Sequence, residues 1–305
     1  MKISVIFPTI NREDVLLDSI DYILAQDLKE LEIIVVDQTP DSQLPRLLEK
    51  YDAKLVKYIF QEEPSASMAR NNGAKVSKAK VLLFLDDDVI IEDTSFLDKH
   101  FENYNDPKVC AVAGQVLSKE KLLDSEFNEQ VLDQPNGWIR FPYNFTRRVD
   151  RNDLYAPIGR SCNFSVRRDV FLKYGGYDAA FQKGAHREES DLTFRMSKDK
   201  LKIVFDPKAS LIHIAEPTGG IRNWNNDDFL ALHHIEGEFY FILKHIELKD
   251  LAPHIYMALR RQVLTKQNVF NPWRLPKAIK NSCKGFIGAL NMKRKGSVYI
   301  ESLRD

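Results

Sequence analysis

The stretch "VLLFLDDDVI", residues 81–90, decides the fold. Five apolar residues in a row suit a strand buried on both faces, and the run stops at Asp86, Asp87 and Asp88. Adjacent carboxylates repel one another, and no basic residue stands beside them in sequence. On an extended segment, alternation sends Asp86 and Asp88 to one side and Asp87 to the other, unless the chain turns there.

Outward from this point, strand and helix patterns alternate. "ISVIFPT" (3–9), "LEIIVVDQT" (31–39), "VKYIFQEE" (56–63) and "CAVAGQVL" (110–117) read as further strands. "EDVLLDSIDYILAQD" (13–27), "DSQLPRLLEKY" (41–51) and "SMARNNGAKVSKA" (67–79) carry helical spacing between them. The expected class is α/β, a mixed and mostly parallel sheet flanked by helices. Such sheets bind ligands beyond the carboxyl ends of their strands, where Asp37 and the three aspartates both fall. Residues 119–158 read as a long loop whose "PNGWIRFPYNF" holds Trp138, Phe141, Tyr143 and Phe145. Such aromatics either line a binding surface or simply pack the loop to the core. Order returns at "GRSCNFSVRR" (159–168), with helices expected at 169–176, 188–199 and 227–247 and strands at "KIVFDP" and "SLIHIA". The glycines of "PTGGIRNWNN" (217–226) suggest a mobile loop.

Charge divides the chain. Lys plus Arg and Asp plus Glu both total 44 over 305 residues, yet residues 251–305 hold eleven cations against two acids. The expected organisation is therefore a main domain over 1–248 and a basic helical tail over 249–305, two helices broken near "NPWRLP". A basic, apolar tail is either a solvated helical face or a contact with something anionic. A peripheral membrane contact fits its mix of residues, and nucleic acid does not, since no recognition motif is present. Cys110, Cys162 and Cys283 lie far apart without metal-ligand spacing, as reduced thiols would. No run reaches the ~18 apolar residues of a spanning helix. The expectation is a cytoplasmic chain, with the tail as the element that could reach the inner face of the membrane.

Acids at a strand end are tolerated when a cation sits among them, and Mg²⁺ or Mn²⁺ take oxygen ligands together with substrate phosphates. The plainer alternative is that they cap a turn. A dinucleotide fold fails because "PTINRED" has no glycine to admit a pyrophosphate. A haloacid-dehalogenase-like phosphatase shares the strand-then-D-x-D shape, with Asp86 as nucleophile, but the stretch comes fourth among the strands. "HREESDLTFRM" (186–196) sets Glu188, Glu189 and Asp191 in a first helical turn, where acids either favour the helix dipole or serve as a general base. His213 ends a strand, as a core residue or a metal ligand.

Taken in order, these pieces resemble the inverting glycosyltransferases of family 2, which have the GT-A fold. "VIFPTINR", "IIVVDQT", "SMARNNGAKVSKAKVLLFLDDDV", "GRSCNFSVRRDVFLKYGGYDAAF", "REESDLTFRM" and "FDPKASLIHI" follow the family's sequence of elements over roughly residues 2–220. The resemblance implies a nucleotide-sugar donor, UDP- or dTDP-linked by preference, a glycan or lipid-linked acceptor, and Mn²⁺ or Mg²⁺. It implies Pro8, Thr9, Asn11 and Asp37 around the nucleoside and Arg70 near base or phosphates. Asp86 and Asp87 would face ribose and sugar, Asp88 and His213 would bind the metal, and Glu189 would be the base. Many relatives carry Asp at the Glu189 position, so Glu188 or Asp191 could hold the role instead. A non-catalytic sugar-nucleotide- or glycan-binding relative is the remaining alternative.

Overall fold

The computed structural model describes residues 1–118, 148–151, 160–182, 186–220 and 232–300. The expectations at Trp138, Phe141, Tyr143, Phe145 and residues 221–226 lie outside them.

Four apolar runs become parallel strands: β1 (Ile3–Thr9), β2 (Leu31–Asp37), β3 (Val56–Phe60) and β4 (Val81–Leu85). All seven residues of β1 and of β2 are buried, because helices cover both faces. On one face α1 (Glu13–Leu24) lays Leu16, Ile20 and Ile23 against the sheet. On the other is α3 (Ala66–Val76), whose N-cap Ser65 accepts a hydrogen bond from the Met68 amide at 3.3 Å. Gly73 lets α3 approach closely, since a Cβ there would stand 2.5 Å from Ile6 Cγ2. Between β2 and β3 the expected helix shrinks to α2 (Leu44–Leu47) and one 3₁₀ turn.

The chain turns at the three aspartates into a two-residue strand, β5 (Val89–Ile90), then α4 (Phe96–Glu102) and β6 (Val109–Ser118). Next come β7 (Val149–Arg151), β8 (Asn163–Arg167), α5 (Arg168–Lys173), α6 (Glu188–Lys198) and β9 (Lys202–His213). The nine-stranded sheet runs β3-β2-β1-β4-β8-β6-β9-β5, with β7 also on β9. Pairing is antiparallel for β4–β8, β6–β8, β5–β9 and β7–β9 and parallel for the other four pairs, which hold most of the paired residues. The fold is thus a mixed, mostly parallel α/β sheet with helices on its faces.

Residues 202–207 and 210–215, read as two strands, are joined in the single strand β9, which ends at His213. Its register on β6 jumps from Gly114–Asp206 to Gln115–Ser210. Pro207 has no N–H to give a ladder, so the chain bulges there. The Asn163 side chain repairs the break, donating to the Gln115 carbonyl at 2.9 Å and the Ala209 carbonyl at 3.0 Å. A Cβ on Gly114 would overlap both Asn163 and Ala209, so that position has room only for glycine.

Beyond the sheet lie α7 (Leu232–His245), α8 (Leu248–Val263), α9 (Lys266–Phe270), a 3₁₀ turn at Pro272–Arg274, and α10 (Leu275–Lys295). Small residues of α10, namely Ala278, Ser282, Gly285 and Ala289, form its buried face, and at Gly285 the helix comes so near α7 that any Cβ would overlap Ile235. The chain then returns to the body. Ile300 is buried in the α3-side core, and its amide donates to the Gly175 carbonyl at 2.8 Å.

Candidate active site

The carboxyl ends of β1, β2 and β4 share one rim because the strands are parallel and in register, Thr9 opposite Asp37. At that rim the turn from β4 into β5 fans out the three aspartates. Asp87 points back to β1, accepting from Thr9 Oγ1 at 2.7 Å and Arg12 Nη1 at 2.9 Å. Ser19 of α1 holds the turn's backbone, donating to the Asp87 carbonyl at 2.8 Å. Burial pushes the Asp87 carboxyl up to about 6, against the pull of Arg12 and with Asp88 adding to the push.

Asp86 and Asp88 go the other way. β5 pairs antiparallel with the end of β9, bringing His213 opposite Val89. His213 Nε2 stands 3.1 Å from Asp88 Oδ1 and 3.6 Å from Asp86 Oδ2. Burial disfavours the imidazolium, but the two carboxylates outweigh it and raise His213 to about 9. Asp88 Oδ2 accepts from the Glu216 amide at 2.9 Å and lies 3.3 Å from Arg12 Nη1. Asp88 Oδ1 is buried and receives no hydrogen bond. The His213 imidazolium at 3.1 Å is the positive charge that meets this oxygen here, and a divalent ion bound by the neutral ring would take its place. One ligand atom from each of Asp86, Asp88 and His213 lies within 4.8 Å of the others, and a two-carboxylate, one-imidazole set fits a hard divalent ion. Among the described residues this is the one such cluster.

Arg70, buried on α3, joins this cluster to α6. Its Nη2 donates to Asp86 Oδ1 at 2.9 Å and its Nη1 to Glu188 Oε1 at 2.7 Å. Ser161 Oγ donates to the same Glu188 oxygen at 3.0 Å. Burial and the neighbouring Glu189 nonetheless push the Glu188 carboxyl well up. Arg187, the residue before α6, has φ 78°, a left-handed conformation, and its side chain pairs with half-buried Glu238 at 2.6 Å. Asp191 is consumed by structure: it is fully buried and pairs with Arg195 at 2.8 Å, Lys244 at 2.6 Å and His245 at 2.7 Å. The His245 hydrogen bond and the Arg195 and Lys244 charges hold its carboxyl far below the usual range despite burial. Of the first-turn acids, Glu189 alone is half-buried, with no hydrogen bond or ion pair to its carboxylate among the described residues.

The residues expected around a nucleoside sit along the same rim. Asp37 accepts from the Thr39 amide at 2.9 Å and from Tyr58 Oη at 3.2 Å. Asn11 is exposed, has φ 52°, and donates its amide to Thr39 Oγ1 at 2.7 Å, while Pro8 is buried inside β1. The structure therefore gathers Thr9, Arg70, Asp86, Asp87, Asp88 and His213 into one connected group, with Pro8, Asn11 and Asp37 at its β1–β2 edge. Sequence reading passed over Arg12, although it closes the quoted "PTINR". Besides its two aspartates it donates to the Glu216 carbonyl at 2.6 Å and the Thr218 carbonyl at 2.9 Å, tying down the start of the glycine loop.

A mixed, mostly parallel sheet of this order, with an acid cluster at its carboxyl rim opposite an acidic helix start, has the architecture of the GT-A fold. The sequence model described as Glycosyl transferase family 2 matches residues 4–175, more than half of the chain, and the chain belongs to that family. It is 28% identical over 228 residues to the O-antigen biosynthesis protein RfbC of Myxococcus xanthus, covering 70% of this chain and 17% of that protein. It is 26% identical over 183 residues to the glucosyl-dolichyl phosphate glucuronosyltransferase of Haloferax volcanii, covering 58% of this chain and 56% of that one. The chain thus spans less than two thirds of these curated relatives. Among solved structures, the mannosyltransferase PcManGT of Pyrobaculum calidifontis, in complex with GDP-Man and Mn²⁺, superposes with a TM-score of 0.59 at 16% identity. That match covers 97% of this chain and 79% of the mannosyltransferase.

Proposed function

We propose that this protein transfers a sugar from a nucleoside diphosphate sugar to a hydroxyl of a glycan or lipid-linked acceptor, inverting the anomeric carbon in one displacement. The observation that carries the reading is Asp88 Oδ1, a buried carboxylate oxygen without a hydrogen bond, facing Asp86 and His213. These three residues would hold Mn²⁺ or Mg²⁺. Bound there, the ion would act as a Lewis acid toward the charge that gathers on the departing diphosphate.

The protein's own residues do the rest. Thr9 and Arg12 fix Asp87, so the β4–β5 turn presents its carboxylates in a set order. Arg70 holds Asp86 and Glu188 together and so sets the distance from the β4 rim to α6. Glu189, the unengaged acid of that helix, takes the proton of the acceptor hydroxyl as it attacks. Glu188 and Asp191 are less suited to that task, each already committed to an ion pair. A phosphatase would use Asp86 as nucleophile and leave Glu189 without work. Asp37, Pro8 and Asn11 are assigned to the nucleoside by their place on the rim. The division into residues 1–248 and a tail is proposed as functional, since the site draws only on the former. The lipid-linked acceptor class draws on the dolichyl phosphate in the name of the Haloferax relative.

The test is a thermal-shift panel of UDP, dTDP, GDP and CDP with and without Mn²⁺, on wild type and Asp88→Asn. A ligand at a hundred times its Kd stabilises by about 2.7 kcal/mol. One nucleotide should raise Tm, need the metal, and lose its effect in Asp88→Asn. No shift with any nucleotide would remove the donor site, and the reading with it.

A further inference from the structure

We infer that the α8–α10 hairpin is a docking surface for an anionic lipid bilayer, seated through the turn that carries Phe270 and Trp273. The inference does not rest on the transfer reading. Seventeen large hydrophobic side chains are exposed among the described residues, and twelve of them lie at or beyond Leu248, in about a fifth of those residues. At the turn, Phe270 is 79% exposed and Trp273 74%, with Val269 and Leu264 beside them in sequence, also exposed. Large aromatic rings left in water at a helical turn need a partner that hides their faces.

The pattern continues along α10. The helix buries Ala278, Ser282, Gly285 and Ala289, yet Ile279, Cys283, Ile287 and Leu290 also recur at helical spacing and are exposed. At about 100° per residue this second stripe lies well round the helix from the first. Lys280 and Lys284 run along its edge, both exposed. From residue 251 to 300 there are ten Lys or Arg and not one Asp or Glu. An apolar stripe edged by cations, on a helix lying against its own domain, is the design of an interfacial helix. Among the described residues no helix is long and apolar enough to cross a membrane, so the contact would lie in the bilayer surface.

Charge and surface chemistry favour lipid over other occupants. Two copies meeting through this face would set Lys280 and Lys284 of one against the same lysines of the other, with no acid in residues 251–300 to offset them. A head-to-tail contact would need an apolar counterpart on the body, whose described exposed hydrophobics are Met1, Phe60, Met68, Val76 and Leu232. Nucleic acid would match the cations and leave Ile279, Ile287 and Leu290 in water. Anionic lipid meets both features: headgroups attract the lysines, and the acyl boundary takes the rings.

The test is co-sedimentation of the full chain with phosphatidylglycerol and with phosphatidylcholine vesicles, at low and high salt, alongside tryptophan emission. Binding to the anionic vesicles, weakened about tenfold or more by salt, with a blue shift absent in Trp273→Phe, is the expected result. Phe270→Ser with Trp273→Ser should cut partitioning at least about tenfold, since both rings are exposed and their loss leaves the core intact. Lys280→Glu with Lys284→Glu, read by circular dichroism for folding, should do so through charge alone. The inference falls if anionic vesicles leave the protein in the supernatant, or if the aromatic pair can be removed without effect. It also falls if sedimentation without lipid shows self-association that the aromatic variant abolishes, because the occupant is then a second copy.

Discussion

At the scale of single residues, the site is organised by two arginines that are not themselves acids or bases. Arg70 is 5% exposed and supports Asp86 on one side and Glu188 on the other. Replacing one partner of a buried pair strands the other, so Arg70→Met should destabilise the fold by roughly 3–5 kcal/mol, read from urea unfolding. Glu189 contrasts with it. Glu189→Gln removes no described ion pair, so Tm should stay within about a degree or two while turnover falls at least about a hundredfold. Donor binding by calorimetry should be unchanged. Retained turnover would move the base to another group. Much of this region was legible in the sequence, since an apolar run ending in acids marks a strand end whatever surrounds it. The Arg70–Glu188 pair was not, because its partners are 118 positions apart and only the packing of α3 beside α6 brings them together.

At the scale of elements, the unforeseen features are the bulge in β9 and what holds it. Strand propensity showed "KIVFDP" and "SLIHIA" as separate pieces, because Pro207 interrupts the pattern. No local signal says that Asn163, on another strand, bridges the gap. The consequence reaches the site, since β9 ends at His213 and the bulge sets its register. His100 on α4 completes this device: its Nε2 is 2.8 Å from Asn163 Oδ1 and its Nδ1 3.0 Å from Ser165 Oγ. Asn163 spends its N–H groups on backbone carbonyls, so its oxygen accepts from His100 and the neutral ring satisfies both partners. Burial lowers His100 to about 4, below its unfolded value near ~6.5. A depressed folded pKa means stability is complete above about 6.5 and declines as pH falls toward 4, by roughly 3 kcal/mol in all. Urea midpoints from pH 7 to pH 4.5 should fall more steeply for wild type than for His100→Gln. Parallel slopes would mean that His100 does not titrate in this range.

At the scale of the whole molecule, the charge asymmetry along the chain suggested a tail distinct from the body, and within that tail residues 297–300 return to pack against the body. Asp178, in the turn after α5, is the joint. Its Oδ1 accepts from the Ala180 amide at 3.0 Å and the Val298 amide at 2.8 Å. Its Oδ2 takes Tyr240 Oη at 2.9 Å and Lys244 Nζ at 2.7 Å. Lys244 also pairs with Asp191, so the end of the chain, α7 and the acid-bearing helix α6 share one buried network. Composition could not reveal this, because the short return segment after α10 has no strand or helix pattern of its own. Ile300, 5% exposed among the apolar residues packed on the α3 side of the sheet, should cost about 2–4 kcal/mol when cut to Ala. Ending the chain at Lys295 should cost more, since Asp178 Oδ1 and the Gly175 carbonyl then lose donors that no neighbour replaces. If α6 is held through this network, nucleotide binding at the β4 rim should survive in the truncated protein while turnover falls together with Tm. A truncation that leaves both Tm and turnover untouched would show that the end of the chain is no part of the catalytic frame.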